Sequence, residues 1–276
     1  MRLVVIGCSG SYPGPDSPAS SYLVEAEDGD RTWRVLLDLG SGALGSLQQV
    51  RDPLSIDAVL ISHLHPDHWF DLSGYYVMRK YHPSGPQPRI PVYGPPGTAE
   101  HMAKAYGLPL KPGMNEEFEV FTYDRLGPIT IGPLRFDVAT VAHPVDAYAI
   151  KVTHGDTALV YSGDTGPCEA LVELSRGVDL LLAEAAFRDG EANPRDLHMT
   201  GREAAQAAVR AGVGRLVLTH VPPWYDARLA LEEARPVFSG PLDLAHTHAT
   251  YELDTPRRTW STRFRRAGKS AARPPR

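Results

Sequence analysis

Short apolar runs, set off by Gly, Pro, Asp and Asn, recur from one end of the chain to the other. In "LRFDV" and "YAIKV" apolar and polar residues alternate, the period of strands with one face in water. In "AVLIS" and "RLVLT" the run is continuous, as in strands covered on both faces. "RLVVIG", "SSYLVEA", "RVLLDLG", "PITIG", "TALVYSGD", "VDLLLAEAAF" and "LDLAHTHATYEL" extend the series. Helical stretches are predicted between them at 42–50, 67–81, 97–106, 169–176, 201–211 and 226–234. Strands interleaved with helices predict an α/β fold in which two sheets stack face to face with helices outside. The Pro- and Gly-dense "YHPSGPQPRIPVYGPPG" is predicted to be a surface loop, and no internal repeat is found.

A chain of 276 residues, 42% hydrophobic and 22% charged, has enough apolar material for one large core and is not of disordered composition. Two cysteines, Cys8 and Cys168, exclude a disulfide scaffold and fit a reducing, cytoplasmic setting. No apolar run approaches the ~20 residues of a membrane span. "LVVIGC" looks like a lipoprotein cleavage box, but the apolar stretch before it is too short for a signal core, so a buried first strand is expected. Net charge is −5, with eight Arg or Lys and no acid from residue 256 onward, which leaves −13 on residues 1–255. Residues 1–255 are therefore expected to form the globular domain and 256–276 a basic, disordered tail. Such a tail could touch nucleic acid, although a solubilising appendage is the simpler reading.

The chemistry begins at "ISHLHPDHWFDL". His63 and His65 are two apart, so on extended chain their imidazoles point the same way and can reach one ion. Asp67 and His68 follow where the chain turns into a helix, aimed at a second point. Buried imidazole and carboxylate carry a desolvation cost that a divalent cation offsets. A solvated polar loop is the alternative, but four ligand-type residues directly after an apolar strand are more specific than that. His143, Asp164 and His220 each end another strong strand, in "FDVATVAH", "ALVYSGD" and "RLVLTH".

H-x-H-x-D-H, followed by a His, an "SGD" Asp and a strand-end His, resembles the ordered signature of the metallo-β-lactamase superfamily of binuclear hydrolases. The resemblance covers residues 1 to about 254 and implies a four-layer αββα sandwich. It assigns His63, His65 and His143 to one metal and Asp67, His68 and His220 to the other, with Asp164 bridging. Two divalent ions, zinc foremost with manganese or iron also accepted by such donors, would lower the pKa of a shared water.

Which bond is broken depends on other residues. A phosphodiester expels an alkoxide and benefits from a proton donor. Glu184, ending an apolar strand, and His198, just before a Thr200–Glu203 capping box, are the candidates. "AEAAF…LHMT" resembles the "HEAT…HST" pair of ribonuclease Z and its phosphodiesterase relatives, with Ala183 and Met199 replacing a histidine and a serine. On that resemblance His198, oriented by Glu184, acts on the leaving group, and Asp67 holds the nucleophile as well as its metal. Ribonuclease Z usually carries a long basic arm, whereas the stretch available here is short and holds one arginine. "GCSGSYPGPDSPASSYLVE", "YHPSGP", "DLHMTG" and "LTHVPPW" together resemble bacterial cyclic-nucleotide phosphodiesterases of the superfamily. The expected substrate is thus a small 3′,5′-cyclic nucleotide such as cyclic AMP. RNA is the alternative substrate, and a thioesterase or lactonase activity, which would not need His198, is the other.

A di-iron redox enzyme is disfavoured because those usually carry Glu where His65 stands and need a flavin domain. No membrane partner is expected, and a homodimer is compatible with the sequence. Tyr75, Tyr76, Tyr81 and Trp224 are candidates to stack on a base, the "GCSGS" amides to bind phosphate, and His246 and His248 to support the site from behind.

Overall fold

The computed structural model describes residues 1–253. The basic segment 256–276 lies outside the described residues. Six strands in chain order begin a first sheet: β1 (Arg2–Gly7), β2 (Ser21–Asp28), β3 (Arg31–Leu37), β4 (Ala58–Leu60), β5 (Ile90–Gly94) and β6 (Phe118–Thr122). The second sheet holds β7 (Ile129–Ile131), β8 (Leu134–Thr140), β9 (Tyr148–His154), β10 (Thr157–Tyr161), β11 (Leu180–Glu184), β12 (Leu216–Thr219) and β13 (Leu242–Leu244). The last strand, β14 (Thr250–Glu252), returns to the first sheet beside β1. Each sheet is mixed: β3 to β6 run parallel, as do β10 to β13, and the remaining pairs are antiparallel.

Three apolar layers follow from the strand pattern. Alternate residues such as Leu3, Val24, Leu37, Phe136, Val152 and Leu182 fill the space between the sheets. Their neighbours on the outer faces are covered by α1 (Ala43–Val50), α2 (Pro66–Trp69), α3 (Leu72–Tyr81) and α4 (Thr98–Ala105) on one side. On the other side α5 (Glu169–Leu174), α6 (Gly201–Ala211) and α7 (Arg228–Ala234) do the same. The continuous runs "AVL" and "LVLT" are β4 and β12, buried along their length as strands covered on both faces must be. This is the expected αββα sandwich.

Three local expectations are corrected. The Pro/Gly-rich loop contains a strand, β5, between β4 and β6. Pairing with β4 begins only at Val92, past Pro91, so the missing proline N–H costs that ladder nothing. The single helix over 67–81 is two, because Leu39 N–H donates to the His68 carbonyl and Asp71 N–H to the Leu39 carbonyl. "LDLAHTHATYEL" is two strands in different sheets, separated by a turn in which His248 has a φ of 67°.

Glu25, buried on the first sheet, accepts from Arg2, from Arg34 and, through both oxygens, from Arg51. Burial alone would raise its pKa, but the three guanidinium groups outweigh that and hold it at about 2. A depressed folded-state pKa stabilises above the unfolded value. The contribution is complete above the ordinary 4.5 and is lost as pH falls through about 2. Allowing for screening of the partly exposed arginines it is worth about 2 kcal/mol. The gap in urea midpoint between wild type and Glu25→Gln should therefore shrink by roughly half from pH 7 to pH 3.

Candidate metal centre

The candidate residues converge at the carboxyl ends of strands from both sheets. His63 follows β4, Asp164 follows β10, Glu184 ends β11 and His220 follows β12. His65 precedes α2, which carries Asp67 and His68 in its single turn. His143 lies three residues past β8. The Tyr148 N–H donates to the Ser62 carbonyl at 3.0 Å, tying the two sheets together beside His63.

Ligand-type atoms fall into two groups, each within 4.8 Å: His63, His65 and His143 in one, and Asp67, His68, Asp164 and His220 in the other. Asp164 reaches across. Its carboxylate lies 3.3 Å from His68 Nε2, 3.2 Å from His220 Nε2 and 3.7 Å from His63 Nε2. A third group joins Asp164 to Glu184 and His198. The seven expected ligand residues, with Glu184 and His198, are thus in one place.

Outer partners decide where the imidazole lone pairs point. His143 Nδ1 donates to the Leu197 carbonyl at 2.8 Å. Ser62 Oγ, which donates to Asp38 at 2.7 Å, accepts from His63 Nδ1 at 3.1 Å. His220 Nδ1 bonds Ser20 Oγ at 2.8 Å, and His68 Nδ1 donates to Asp38 at 2.7 Å. Each Nε2 is left facing inward. His65 presents Nδ1 instead, 3.0 Å from His63 Nε2 and 3.1 Å from His143 Nε2. Three ring nitrogens at that spacing, two with their protons already committed elsewhere, cannot all satisfy one another. In the second group His68 Nε2, Asp164 Oδ1 and His220 Nε2 are buried with no hydrogen-bond partner. Buried ligand-type atoms left without a hydrogen-bond partner fit divalent cations, which the two groups could hold.

Charge follows the same geometry. Burial opposes charge on His68, but Asp164, Asp38 and Asp67 outweigh it and push its pKa well above the ordinary value. Burial and His68 hold His63 well below, against Asp164. The Asp164 carboxyl, despite burial, is kept well below its usual range by His220 and His68. His198 donates from Nδ1 to Glu184 at 2.9 Å, and Glu184 is itself fixed by the N–H groups of Thr165, Ala186 and Met199. Burial would lower the His198 pKa, but the Glu184 charge and hydrogen bond push it up to about 9. The Thr200–Glu203 capping box forms as expected and fixes the start of α6 two residues after His198.

Asp38 was not among the sequence candidates. Completely buried at a φ of 60°, it accepts from His68, from Ser62 N–H and Oγ, and from Tyr161. It orients one metal-group histidine from behind. The only trace in the sequence is an acid after "VLL", the same strand-end position as Asp164. Other candidates fall away. Tyr75 and Tyr76 are core residues, the former donating to the Pro53 carbonyl. The amides of Cys8, Ser9 and Gly10 are spent on Ser17, Pro18 and Val221, so they are not free for phosphate. His248 bonds Ser46, and His246 is 3.4 Å from the Leu244 carbonyl, so neither supports the histidine groups.

The profile of the Beta-lactamase superfamily domain matches residues 33–221, about two thirds of the chain and every ligand-type residue just described. The chain belongs to the metallo-β-lactamase superfamily. An uncharacterized protein of Mycobacterium tuberculosis is 42% identical to this superfamily member over 257 residues, 92% of either chain. The probable metallo-hydrolase YhfI of Bacillus subtilis is 29% identical over 91% of this chain and its whole length. The YhfI crystal structure superposes with a TM-score of 0.80, covering 91% of this chain and 99% of that one. Ribonuclease BN of Escherichia coli is 27% identical, covering 92% of this chain and all of its own. The architecture is thus that of the superfamily's metallo-hydrolases. Among the described residues no helix is long and apolar enough to cross a membrane.

Proposed function

We propose that the protein is a metal-dependent phosphodiesterase that opens 3′,5′-cyclic nucleotides, cyclic AMP among them, to 5′-monophosphates. The observation that carries this reading is the Glu184–His198 pair set against Asp164. A thioester expels a thiolate, a good leaving group that has no use for a proton donor there, whereas a ribose alkoxide does. The name of Ribonuclease BN, a sequence relative across nearly the whole chain, points to the same bond class.

His63, His65 and His143 would hold one divalent ion, and Asp67, His68 and His220 the other, with Asp164 shared; zinc fits these donors best, and manganese or iron fit as well. When bound, the ions supply an acidified water and positive charge for the phosphate. Asp67, 3.4 Å from His68 Nε2 and partly open to solvent, accepts a hydrogen bond from the attacking water and orients it. Glu184 accepts from Nδ1–H and stabilises the His198 imidazolium, so that Nε2–H faces the substrate. From there Nε2 protonates the departing 3′ oxygen. Residues 1–255 form the catalytic unit in this reading, and the protein works in the cytoplasm with or without pairing into a homodimer.

The small cyclic substrate is favoured over RNA by charge and by length. Residues 1–255 carry −13, a poor surface for polyphosphate, and the Pro/Gly-rich segment offers one arginine. The alignment with Ribonuclease BN spans 317 positions, more than this whole chain, so that relative has segments this one lacks. Metal-loaded protein assayed on cyclic AMP and on a 3′-extended tRNA should hydrolyse the former. Trimming of the tRNA without cyclic AMP turnover would overturn the cyclic reading in favour of RNA.

A further inference from the structure

Two loops that touch His220 each end in an exposed aromatic residue. The first, after β1, passes His220 so closely that a Cβ on Gly10 would meet its ring Cδ2 at 3.0 Å and collide with its carbonyl oxygen. The second is the continuation of the His220 segment itself. The loops run side by side: Ser9 bridges to Val221, Gly10 N–H donates to the Val221 carbonyl at 3.1 Å, and Gly14 packs on Pro223. Tyr12 and Trp224 meet at their tips, ring centroids 5.4 Å apart and planes tilted by 37°.

These rings are not core. Tyr12 is 43% exposed and Trp224 58%, the latter among the most exposed large apolar side chains described. Yet their backbones are held. Ser9 Oγ donates to the Tyr12 carbonyl at 2.8 Å, Tyr12 N–H to the Gly10 carbonyl, and Tyr225 N–H to the Pro222 carbonyl. Pro13, Pro15, Pro222 and Pro223 stiffen both segments further. Exposed aromatics on a rigid backbone cost little entropy when a ligand covers them. Trp224 is four residues from His220, so its Cα lies no more than about 14 Å away.

From this juxtaposition we propose that Tyr12 and Trp224 form the platform on which the base of the nucleotide stacks while its phosphate sits at the histidine groups. The proposal rests on the phosphodiesterase reading and adds what that reading lacks, a group that recognises the base rather than the phosphate. A π-face accepts any base, so the platform favours purines by area alone and does not select adenine over guanine. Tyr81, though more exposed, ends α3 rather than either of these two loops, and is not part of the platform.

AMP, which carries base and phosphate but no diester, should quench the indole fluorescence of metal-loaded protein saturably. Ribose 5-phosphate, with no base, should not, and Trp224→Phe should lose the AMP response. Trp224→Ala and Tyr12→Ala should each raise KM for cyclic AMP about tenfold with a smaller effect on kcat, and Trp224→Phe should recover most of that affinity. Equal quenching by ribose 5-phosphate, or unchanged KM in both alanine variants, overturns the platform. The titration needs no turnover. A protein that leaves cyclic AMP intact but is quenched by AMP through Trp224 keeps the platform and loses the cyclic-diester reading.

Discussion

His198→Ala is expected to lower kcat on cyclic AMP by about 10²–10⁴-fold, with metal content like that of the wild type. The range is that of a lost general acid whose leaving group is a poor one. His198 lies beside the metal-type groups, its ring 5.6 Å from His143 and 5.8 Å from His220, but it belongs to neither of the two. Its removal therefore leaves those ligands in place. The loss should be much smaller on bis(p-nitrophenyl) phosphate, because p-nitrophenolate departs without help. That contrast separates a proton donor from a residue that merely supports the fold. Glu184→Gln keeps a hydrogen-bond acceptor but removes the charge that raises the His198 pKa to about 9, so its activity should fall and its alkaline limb should move to lower pH. Equal losses on both substrates would show that His198 is not the acid.

Asp164→Ala should have the larger effect on the metals, reducing affinity by more than about 100-fold and abolishing measurable turnover. Its carboxylate is within 4 Å of His63, His68 and His220, imidazoles from two distant stretches of chain. Without it the Nε2 atoms of His68 and His220 keep only Asp67, at 3.4 Å and 3.8 Å, and the carboxylate beside His63 is gone. Chelation of the wild type should mimic the substitution, lowering Tm and restoring it on metal return, whereas the variant's Tm should no longer respond to metal.

The ligand-type residues were legible because each sits where a strong apolar run stops, and a stacked pair of sheets gathers such ends. His63, Asp164 and His220 could be named from β4, β10 and β12 alone. Asp38 could not, since its role is to hold His68 from behind and its sequence context, "LLDLG", resembles many strand ends. Proline concealed β5, because Pro91 reads as a strand breaker until the register shows it outside the β4 pairing. The split of α2 from α3 depends on Leu39, thirty residues away, and the change of sheet between β13 and β14 on His248 donating to the Val5 carbonyl. Local pattern has no access to bonds of that range. The aromatic pair at Tyr12 and Trp224 shows the same limit: one partner was visible as a candidate, and only the fold joins it to the other.

The central claim is that seven side chains from four stretches of the chain hold two cations around one reactive water. Anomalous diffraction from crystals of the metal-loaded protein tests it most directly. The account predicts two scatterers, one among His63, His65 and His143 and one among Asp67, His68 and His220, with Asp164 touching both. A single scatterer, or none at these residues in active protein, would contradict it.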